Sequence, residues 1–174
     1  MKSLDNKNIY KIIKELEKES PWNHYFWLNE DVQTMDKRLI PRSEGSNLNK
    51  WNRINKIVKK KYFNKKKILD IGCSDGYFSY KVSKYAKKVL GIDIDSSRIK
   101  KANFIKSYFE LNNCNFLTQD IGSVQNEKYD IGLILGLLHR IPDPLFFLQK
   151  VSNICDELII EYKYLKSNKN IAYY

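Results

Sequence analysis

A length of 174 residues indicates a single domain with at most a short extension, and it is enough to bury a hydrophobic core without disulfides or metals. The chain has no apolar run near the ~18 residues that a transmembrane helix needs, and its charged N-terminal segment lacks the signal-peptide pattern. The three cysteines show no CxxC spacing. This argues against a disulfide framework and a metal site, and it predicts a reducing, cytoplasmic location.

The formal net charge of +11 favours an anionic partner. Nine basic residues and no acid lie between Lys50 and Lys67, with the aromatic residues Trp51, Tyr62 and Phe63 among them. Aromatic side chains within a basic stretch can stack on nucleic-acid bases. However, the chain has 26 lysines and only 5 arginines, and arginine is the better recognition residue for phosphates and bases. The stretch therefore predicts either an RNA-binding surface or a solvated face.

The N-terminal third combines helical and irregular patterns. Apolar side chains at helical spacing predict an amphipathic helix over residues 4–19, and an aromatic cluster follows at residues 22–27. Proline and glycine predict a loop over residues 29–47, and a second helix is predicted over residues 47–60. We expect residues 1–62 to form an N-terminal helical extension and a lid.

From Lys67 onward, short apolar segments alternate with helical patterns. The segments that predict strands are KILDI, VLGIDI, NFLTQ, YDIGLILGLL and ELIIEYKYL. The helical patterns between them are YFSYKVSKYA, SSRIKKANFIKSYFELNN and DPLFFLQKVSNI. This alternation predicts an α/β fold with a mostly parallel sheet and helices on both faces. We assign residues 63–165 to this domain and residues 166–174 to a tail.

A glycine-containing turn separates the first predicted strand from its helix. In ILDIGCSDGYFS, Gly72 and Gly76 would let a ligand approach the backbone, next to the free N–H groups at the start of the helix. Asp70 and Asp75 flank the turn, and the turn contains no lysine or arginine. These acids argue against a phosphate-binding turn and favour a cationic or zwitterionic ligand.

Two more acids follow the next predicted strands. Asp93 ends VLGIDI, and Asp120 comes after NFLTQ. Because the carboxyl ends of parallel strands share one edge of the sheet, we expect Asp70, Asp93 and Asp120 to lie along that edge. A carboxylate at the tip of the second strand can accept hydrogen bonds from both hydroxyls of a ribose.

Residues 66–163 resemble the class I S-adenosylmethionine-dependent methyltransferases. The family's acid-x-Gly-x-Gly-x-Gly motif corresponds to Asp70, Gly72, Ser74 and Gly76, with serine at the middle glycine, and LGLLHRIPDP is similar to the segment after the family's fourth strand. The resemblance implies a Rossmann-like sheet with strand order 3-2-1-4-5, methyl transfer as the activity and S-adenosylmethionine as the cofactor. It implies that the cofactor is bound by Asp70, Gly72, Cys73, Ser74, Gly76, Tyr77, Asp93, Ile94, Asp120, Ile121 and Leu135.

The family's sheet usually ends in an antiparallel hairpin of two further strands. Only about ten residues follow ELIIEYKYL, so we expect this hairpin to be missing. An uncovered edge strand favours association. We therefore expect either a truncated product or a minimal form whose edge is covered by the N-terminal helices or by a partner chain, in a homo- or hetero-oligomer.

Candidate acceptor residues lie on both sides of the glycine turn in the sequence. His139, after the fourth strand, is the candidate general base for an acceptor that must lose a proton. The stretch Arg42–Ser43 followed by Lys50–Trp51-x-Arg53 is similar to bacterial tRNA wobble-uridine carboxymethyltransferases. The candidate acceptor contacts are Trp51, Arg53, His139, Arg140 and Glu161.

Three functions stay open at this point. The leading prediction is methyl transfer to a small-molecule, sugar or lipid-linked acceptor. The second is methyl transfer to RNA (tRNA) held by the basic stretch 50–67, which predicts binding that weakens steeply with salt. The third is a non-catalytic, methyltransferase-like binding or scaffold subunit, which predicts a stable hetero-oligomer without turnover.

Overall fold

The computed structural model of the protein describes residues 5–35, 40–124 and 127–162, without the side chains of residues 40–46. A five-stranded parallel sheet organises the chain, with strand order β3-β2-β1-β4-β5. The predicted Rossmann-like order 3-2-1-4-5 is therefore confirmed. The strands are β1 (Lys67–Ile71), β2 (Lys88–Asp93), β3 (Cys114–Thr118), β4 (Tyr129–Leu135) and β5 (Cys155–Glu161).

Helices cover both faces of this sheet, as parallel crossover connections require. The described helices are α1 (Asn6–Glu19), α2 (Ile40–Val58), α3 (Tyr77–Ser83), α4 (Ser96–Tyr108) and α5 (Pro144–Ser152). Side chains that accept a backbone N–H begin three of them: Asp5 caps α1, Asp95 caps α4 and Asp143 caps α5. Each cap satisfies an N–H group that the helix itself leaves without a partner.

The helix α2 is longer than predicted. It starts at Ile40, whereas the sequence predicted a loop over residues 29–47 because of Pro41 and Gly45. Proline is tolerated in the first turn of a helix, where its missing N–H would have no intrahelical partner. The prediction for that part of the loop was therefore wrong.

The N-terminal region and the sheet share one hydrophobic core. Ile9 and Ile13 of α1 are almost fully buried and belong to the same cluster as Ile68 of β1 and Ile105 of α4. A second cluster on the other face of the sheet includes Leu69, Ile134 and Val151, among others. The proposed boundary at residue 62 is thus crossed by continuous packing.

Lysines are concentrated at the amino end of the sheet. Lys67 and Lys88 open β1 and β2, and the backbone N–H of Lys87 donates to the carbonyl oxygen of Lys66 at 2.9 Å. The lysine-rich half of the basic stretch, residues 59–67, therefore lies at the amino end of the sheet. The carboxyl ends of the strands, where parallel sheets bind ligands, are at the opposite end.

The described part of the chain contains no helix with the length and apolarity needed to cross a membrane. Among the described strands, β5 is an edge of the sheet. The predicted tail and the expected loss of the hairpin concern residues outside the described ranges.

Candidate active site

A cavity of about 580 Å³ opens at the carboxyl ends of β1, β2 and β4. This volume is within the range of ~300–1,000 Å³ that is typical of small-molecule sites. Its polar wall combines carboxylates with basic side chains and two residues of the N-terminal region. The lining residues are Asn23, His24, Lys50, Asp70, Gly72, Cys73, Ser74, Phe78, Asp93, Ile94, Asp95, Arg98, Leu135, Gly136, Leu137, Arg140 and Ile141.

The turn after β1 has the backbone conformation that its glycines permit. Gly72, Ser74 and Gly76 have φ angles of +72°, +52° and +81°, in the left-handed region. A Cβ atom at Gly72 would lie 3.0 Å from a methyl carbon of Leu137, on the loop after β4. Bare backbone at this position keeps the cavity wall open between the two loops.

Gly76 is a close-packed position of the turn. A Cβ atom there would lie 2.7 Å from Cζ of Phe116, whose ring is almost fully buried on β3. This distance is shorter than real carbon atoms tolerate, so the turn can approach β3 only without a side chain. Gly76 does not line the cavity.

Asp93 ends β2 and faces the cavity. Its two carboxylate oxygens each accept one backbone N–H, from Ser74 at 3.0 Å and from Asp95 at 3.0 Å. A carboxylate has about four acceptor positions, so two remain available to a ligand. Asp93 therefore fixes the glycine turn and is still able to accept hydrogen bonds from a ligand.

Asp70, the acid at the end of β1, is only 2% exposed. It accepts a hydrogen bond from Oγ of Ser79 at 2.6 Å. Burial is the main cause that raises its pKa from 3.8 to about 6, against the hydrogen bonds from Ser79, and the nearby charge of Asp93 raises it further. The carboxyl group is thus held at the inner wall of the cavity in an environment that disfavours its charge.

This pKa shift predicts a pH dependence of stability. Between pH about 4 and about 6, the folded protein retains a proton that the unfolded chain has lost, so the free energy of unfolding falls as pH rises. Across this pH range the free energy of unfolding falls by about 3 kcal/mol in total, since one pKa unit corresponds to about 1.4 kcal/mol. We expect Asp70→Asn to remove this slope in urea unfolding measured from pH 4 to 7.

The exposed Asp156 provides the matched control, because Asp156→Asn removes a carboxyl group at a surface position. An Asp70→Asn protein with the same pH slope as the parent would contradict the assignment to Asp70.

A segment of the N-terminal region closes one side of the cavity. The backbone N–H groups of Asn23 and His24 both donate to Oδ2 of Asp75, at 3.0 Å for His24. The side-chain amide of Asn23 donates to Oγ of Ser74 at 2.8 Å. Asp75 is fully buried, and burial raises its pKa while the two N–H groups oppose that shift. Asp75 therefore binds the chain's own backbone, not the ligand that its sequence position suggested.

His24 is the aromatic part of this wall. Its ring stacks on Tyr77, with centroids 5.5 Å apart, and contacts the ring of Phe78 edge to face. Burial, followed by the positive charges of Lys50 and Arg98, lowers the pKa of His24 to about 3. The imidazole is therefore neutral at physiological pH and cannot act there as a positively charged group.

A smaller cavity of about 140 Å³ adjoins the first and shares Lys50, Gly136 and Arg140 with it. His139, Glu161 and Tyr162 complete its lining. His139 and Arg140 lie on a short 3-10 helix after β4, and Glu161 ends β5. Nζ of Lys50, from α2, forms an ion pair with Oε2 of Glu161 at 2.8 Å. The N-terminal region thus contributes to the acceptor side as well.

Most residues predicted from the sequence converge on these two cavities. Eight of the predicted cofactor or acceptor residues line the larger cavity: Asp70, Gly72, Cys73, Ser74, Asp93, Ile94, Leu135 and Arg140. Arg140 also lines the smaller cavity together with His139 and Glu161. Burial raises the pKa of the Cys73 thiol well above its usual value, so the neutral thiol is favoured there.

Other predicted residues lie away from the cavity wall. Tyr77 is 5% exposed and packs on His24, and Trp51 is 6% exposed and stacks on Phe63. Asp120 accepts the N–H of Gly122 at 2.7 Å and thereby caps a short helix; neither it nor the neighbouring Ile121 lines the larger cavity. Together with Gly76, these residues support the fold around the site.

Arg53 lies on the acceptor side but outside both cavities described above. It lines an adjoining groove of about 310 Å³ between α2 and β5, which also includes Lys50, Glu161 and Tyr162.

Nine residues that line the larger cavity are not among the predicted site residues, and they include Asn23, His24, Lys50 and Arg98. Arg98 of α4 donates to Oγ of Ser74 at 3.1 Å and to the carboxylate of Asp95 at 3.0 Å. Helical spacing was an available signal for Lys50, because it is three residues before Arg53 and so lies on the same helix face. No local pattern indicates Asn23 or His24.

The methyltransferase domain family matches residues 63–168 of the chain, which is more than half of its length. The chain belongs to this family. It is therefore a class I S-adenosylmethionine-dependent methyltransferase domain, as the resemblance implied, and the cofactor of this family is S-adenosylmethionine.

The chain is also similar to individual methyltransferases, at low sequence identity. The chain is 30% identical over 100 residues to a tRNA U34 carboxymethyltransferase of Dichelobacter nodosus, covering 55% of the chain and 32% of that protein. It is 25% identical over 148 residues to a ubiquinone biosynthesis O-methyltransferase of Nitrosospira multiformis, covering 83% of the chain and 57% of that protein. The chain thus spans between about a third and just over half of these relatives.

A solved structure has the same fold. The N-terminal domain of EvdMO1 with SAH bound superposes with a TM-score of 0.69 at 18% identity, covering 87% of the chain and 63% of that structure.

Proposed function

We propose that the larger cavity binds S-adenosylmethionine and that the protein transfers its methyl group to a small-molecule acceptor. The observation that carries this proposal is the cavity at the carboxyl ends of β1, β2 and β4, with Asp93 in its wall. When bound, S-adenosylmethionine supplies an electrophilic methyl group. The proposed roles of the protein are to bind the cofactor, orient the acceptor and exclude water.

The residues present fit this cofactor. Gly72 leaves backbone exposed where a Cβ atom would meet Leu137 at 3.0 Å, and Asp93 keeps free acceptor positions for the ribose hydroxyls. Asp70, Asp93 and Asp95 give one side of the wall the negative charge that a sulfonium and an ammonium group require. The remaining proposed contacts are Cys73, Ser74, Ile94 and Leu135.

The acceptor is proposed to enter at the smaller cavity. His139 lies there beside Arg140 and the Lys50–Glu161 ion pair. In this position, His139 is the candidate base for an acceptor proton, and Glu161 is a second carboxylate within the same cavity. Methyl transfer also occurs without a base when the acceptor already has a free lone pair, so this role depends on the acceptor.

The position of the basic stretch favours a small acceptor over RNA. The lysines within residues 59–67 lie at the amino end of the sheet. An RNA bound to them would have to extend past the full length of β1 to reach the cavity. Five residues of parallel strand correspond to about 16 Å. Of the nine basic residues in this stretch, two line the acceptor side, Lys50 and Arg53.

Calorimetric titration with S-adenosylhomocysteine tests the cofactor site. We expect micromolar binding to the parent protein and a loss of roughly a hundredfold in Asp93→Ala, because two charge-assisted hydrogen bonds of about 1.5 kcal/mol each are removed. Asp143→Ala is the matched control, since this residue caps α5 and does not line the cavity.

Equal affinity in the parent and Asp93→Ala proteins would contradict the proposed site. A folded parent protein that binds no S-adenosylhomocysteine would instead favour the scaffold alternative.

A further inference from the structure

The acceptor side of the site carries an excess of positive charge. Lys50, Arg53 and Arg140 line the smaller cavity or the groove that adjoins it, and Glu161 is the only acid lining either of them among the described residues. Glu161 is already paired with Lys50 at 2.8 Å. Two arginines therefore remain without an ion-pair partner within the described part of the chain.

These two arginines come from different elements. Arg53 is on α2, three residues after Lys50 and so on the same face of that helix. Arg140 is on the 3-10 helix that follows β4 and lines both cavities. Lys50 lines all three spaces: both cavities and the groove.

Arginine is suited to one class of ligand. Its planar guanidinium group donates two parallel hydrogen bonds to a carboxylate or phosphate, whereas lysine acts as a point charge. The chain has only five arginines among its 31 basic residues, and two of them are at this place. A surface that contacts only solvent would not require arginine in place of lysine in this lysine-rich protein.

We infer that the acceptor carries an oxyanion, a carboxylate or a phosphate, which is bound by Arg140 in the smaller cavity and by Arg53 in the groove that adjoins it. This inference rests on the proposed function, because it assigns the acceptor to the smaller cavity. The negative group anchors the acceptor and so orients its nucleophile toward the larger cavity. Lys50 adds charge, and its pairing with Glu161 fixes its position.

The carboxylate of the cofactor's methionine moiety is a second source of the same chemistry, since Arg140 also lines the larger cavity. The affinity of Arg140→Gln for S-adenosylhomocysteine separates the two sources. An acceptor anchor leaves this affinity unchanged, whereas a cofactor contact lowers it about tenfold and would overturn the assignment to the acceptor.

Proton NMR of the histidine rings gives a direct test. The chain has two histidines, His139 beside Arg140 in the smaller cavity and the partly buried His24. Inorganic phosphate and benzoate are titrated at constant ionic strength into the protein, with and without saturating S-adenosylhomocysteine. We expect saturable shifts of the His139 resonances, which His139→Gln assigns.

Arg140→Gln and Arg53→Gln are each expected to weaken anion binding about tenfold, as the loss of a charge-assisted hydrogen bond predicts. Lys56→Gln is the matched control, because Lys56 is an exposed cation on the same helix that lines none of these spaces. No saturable shift with either anion, or equal weakening by all three substitutions, would overturn the inference. Because the titration is also run without cofactor, its result is independent of the cofactor test.

Discussion

Asp75→Ala is expected to destabilise the protein by about 4 kcal/mol and to weaken cofactor binding as well. The substitution removes the acceptor of two backbone N–H groups, those of Asn23 and His24, in hydrogen bonds that are partly buried. Each hydrogen bond to a charged group contributes about 1.5–3 kcal/mol, and both donors would lose their partner. The wall formed by Asn23 and His24 would then detach from the larger cavity.

The side-chain geometry also provides a conservative variant. Both N–H groups donate to the same oxygen, Oδ2 of Asp75, while Oδ1 is buried without a partner among the described residues. The single carbonyl oxygen of asparagine can replace Oδ2, so Asp75→Asn should cost only about 1–2 kcal/mol.

Urea unfolding and titration with S-adenosylhomocysteine measure the two effects. If the alanine protein does not fold, the asparagine protein still tests the assignment. Equal losses in the alanine and asparagine proteins would show that Asp75 does not act by accepting these hydrogen bonds.

Gly76→Ala is expected to lower the free energy of unfolding by about 2–5 kcal/mol. Alanine at a φ of +81° costs about 1–2 kcal/mol in backbone conformation. Its Cβ atom would lie 2.7 Å from Cζ of Phe116, and overpacking in a core adds about 1–3 kcal/mol. Chemical unfolding measures the sum.

The two contributions can be separated through Phe116. Shortening that side chain in Phe116→Leu removes the ring that the new methyl group would meet, at the cost of a cavity of its own. In a double-mutant cycle, we expect Gly76→Ala to cost less in the Phe116→Leu background by about the overpacking contribution. Additive effects of the two substitutions would contradict the proposed contact.

The strands of the sheet were predictable because the patterns that specify them are short and local in the sequence. Runs such as KILDI and VLGIDI are mostly apolar, without a strict apolar–polar alternation, and they alternate with helical patterns, which specifies parallel strands buried on both faces. The positions of Asp70 and Asp93 at strand ends follow directly, and the structure brings both to one cavity. The strand order came from the family resemblance, since the local patterns alone do not determine it.

The role of Asp75 was not predictable from its neighbours in sequence. Its partners Asn23 and His24 are about fifty residues away in the chain, and the contacts arise only when the N-terminal segment packs on the glycine turn. In sequence, a carboxylate beside a ligand-binding turn and one that binds backbone N–H groups have the same pattern. Only the structure distinguishes the two roles. It shows that Asp75 is fully buried and that its Oδ1 has no partner among the described residues.

Trp51 was predicted to contact the acceptor but lies in the core, and the reason is different. The pattern Lys50–Trp51-x-Arg53 directed attention to the tryptophan, but successive helix residues point about 100° apart. Trp51 therefore faces Phe63 in the core, while Lys50 lines the cavities and Arg53 lines the groove.

The contact between Asp75 and the N-terminal segment has a consequence for dissecting the protein. The matched family region begins at residue 63, yet Asn23, His24 and Lys50 supply part of the cavity wall and α1 supplies part of the core. A fragment that starts at residue 63 would expose Asp75 and the apolar face that Ile9 and Ile13 cover. The smallest unit able to form this site therefore includes the N-terminal segment, and sequence homology alone places its boundary too late.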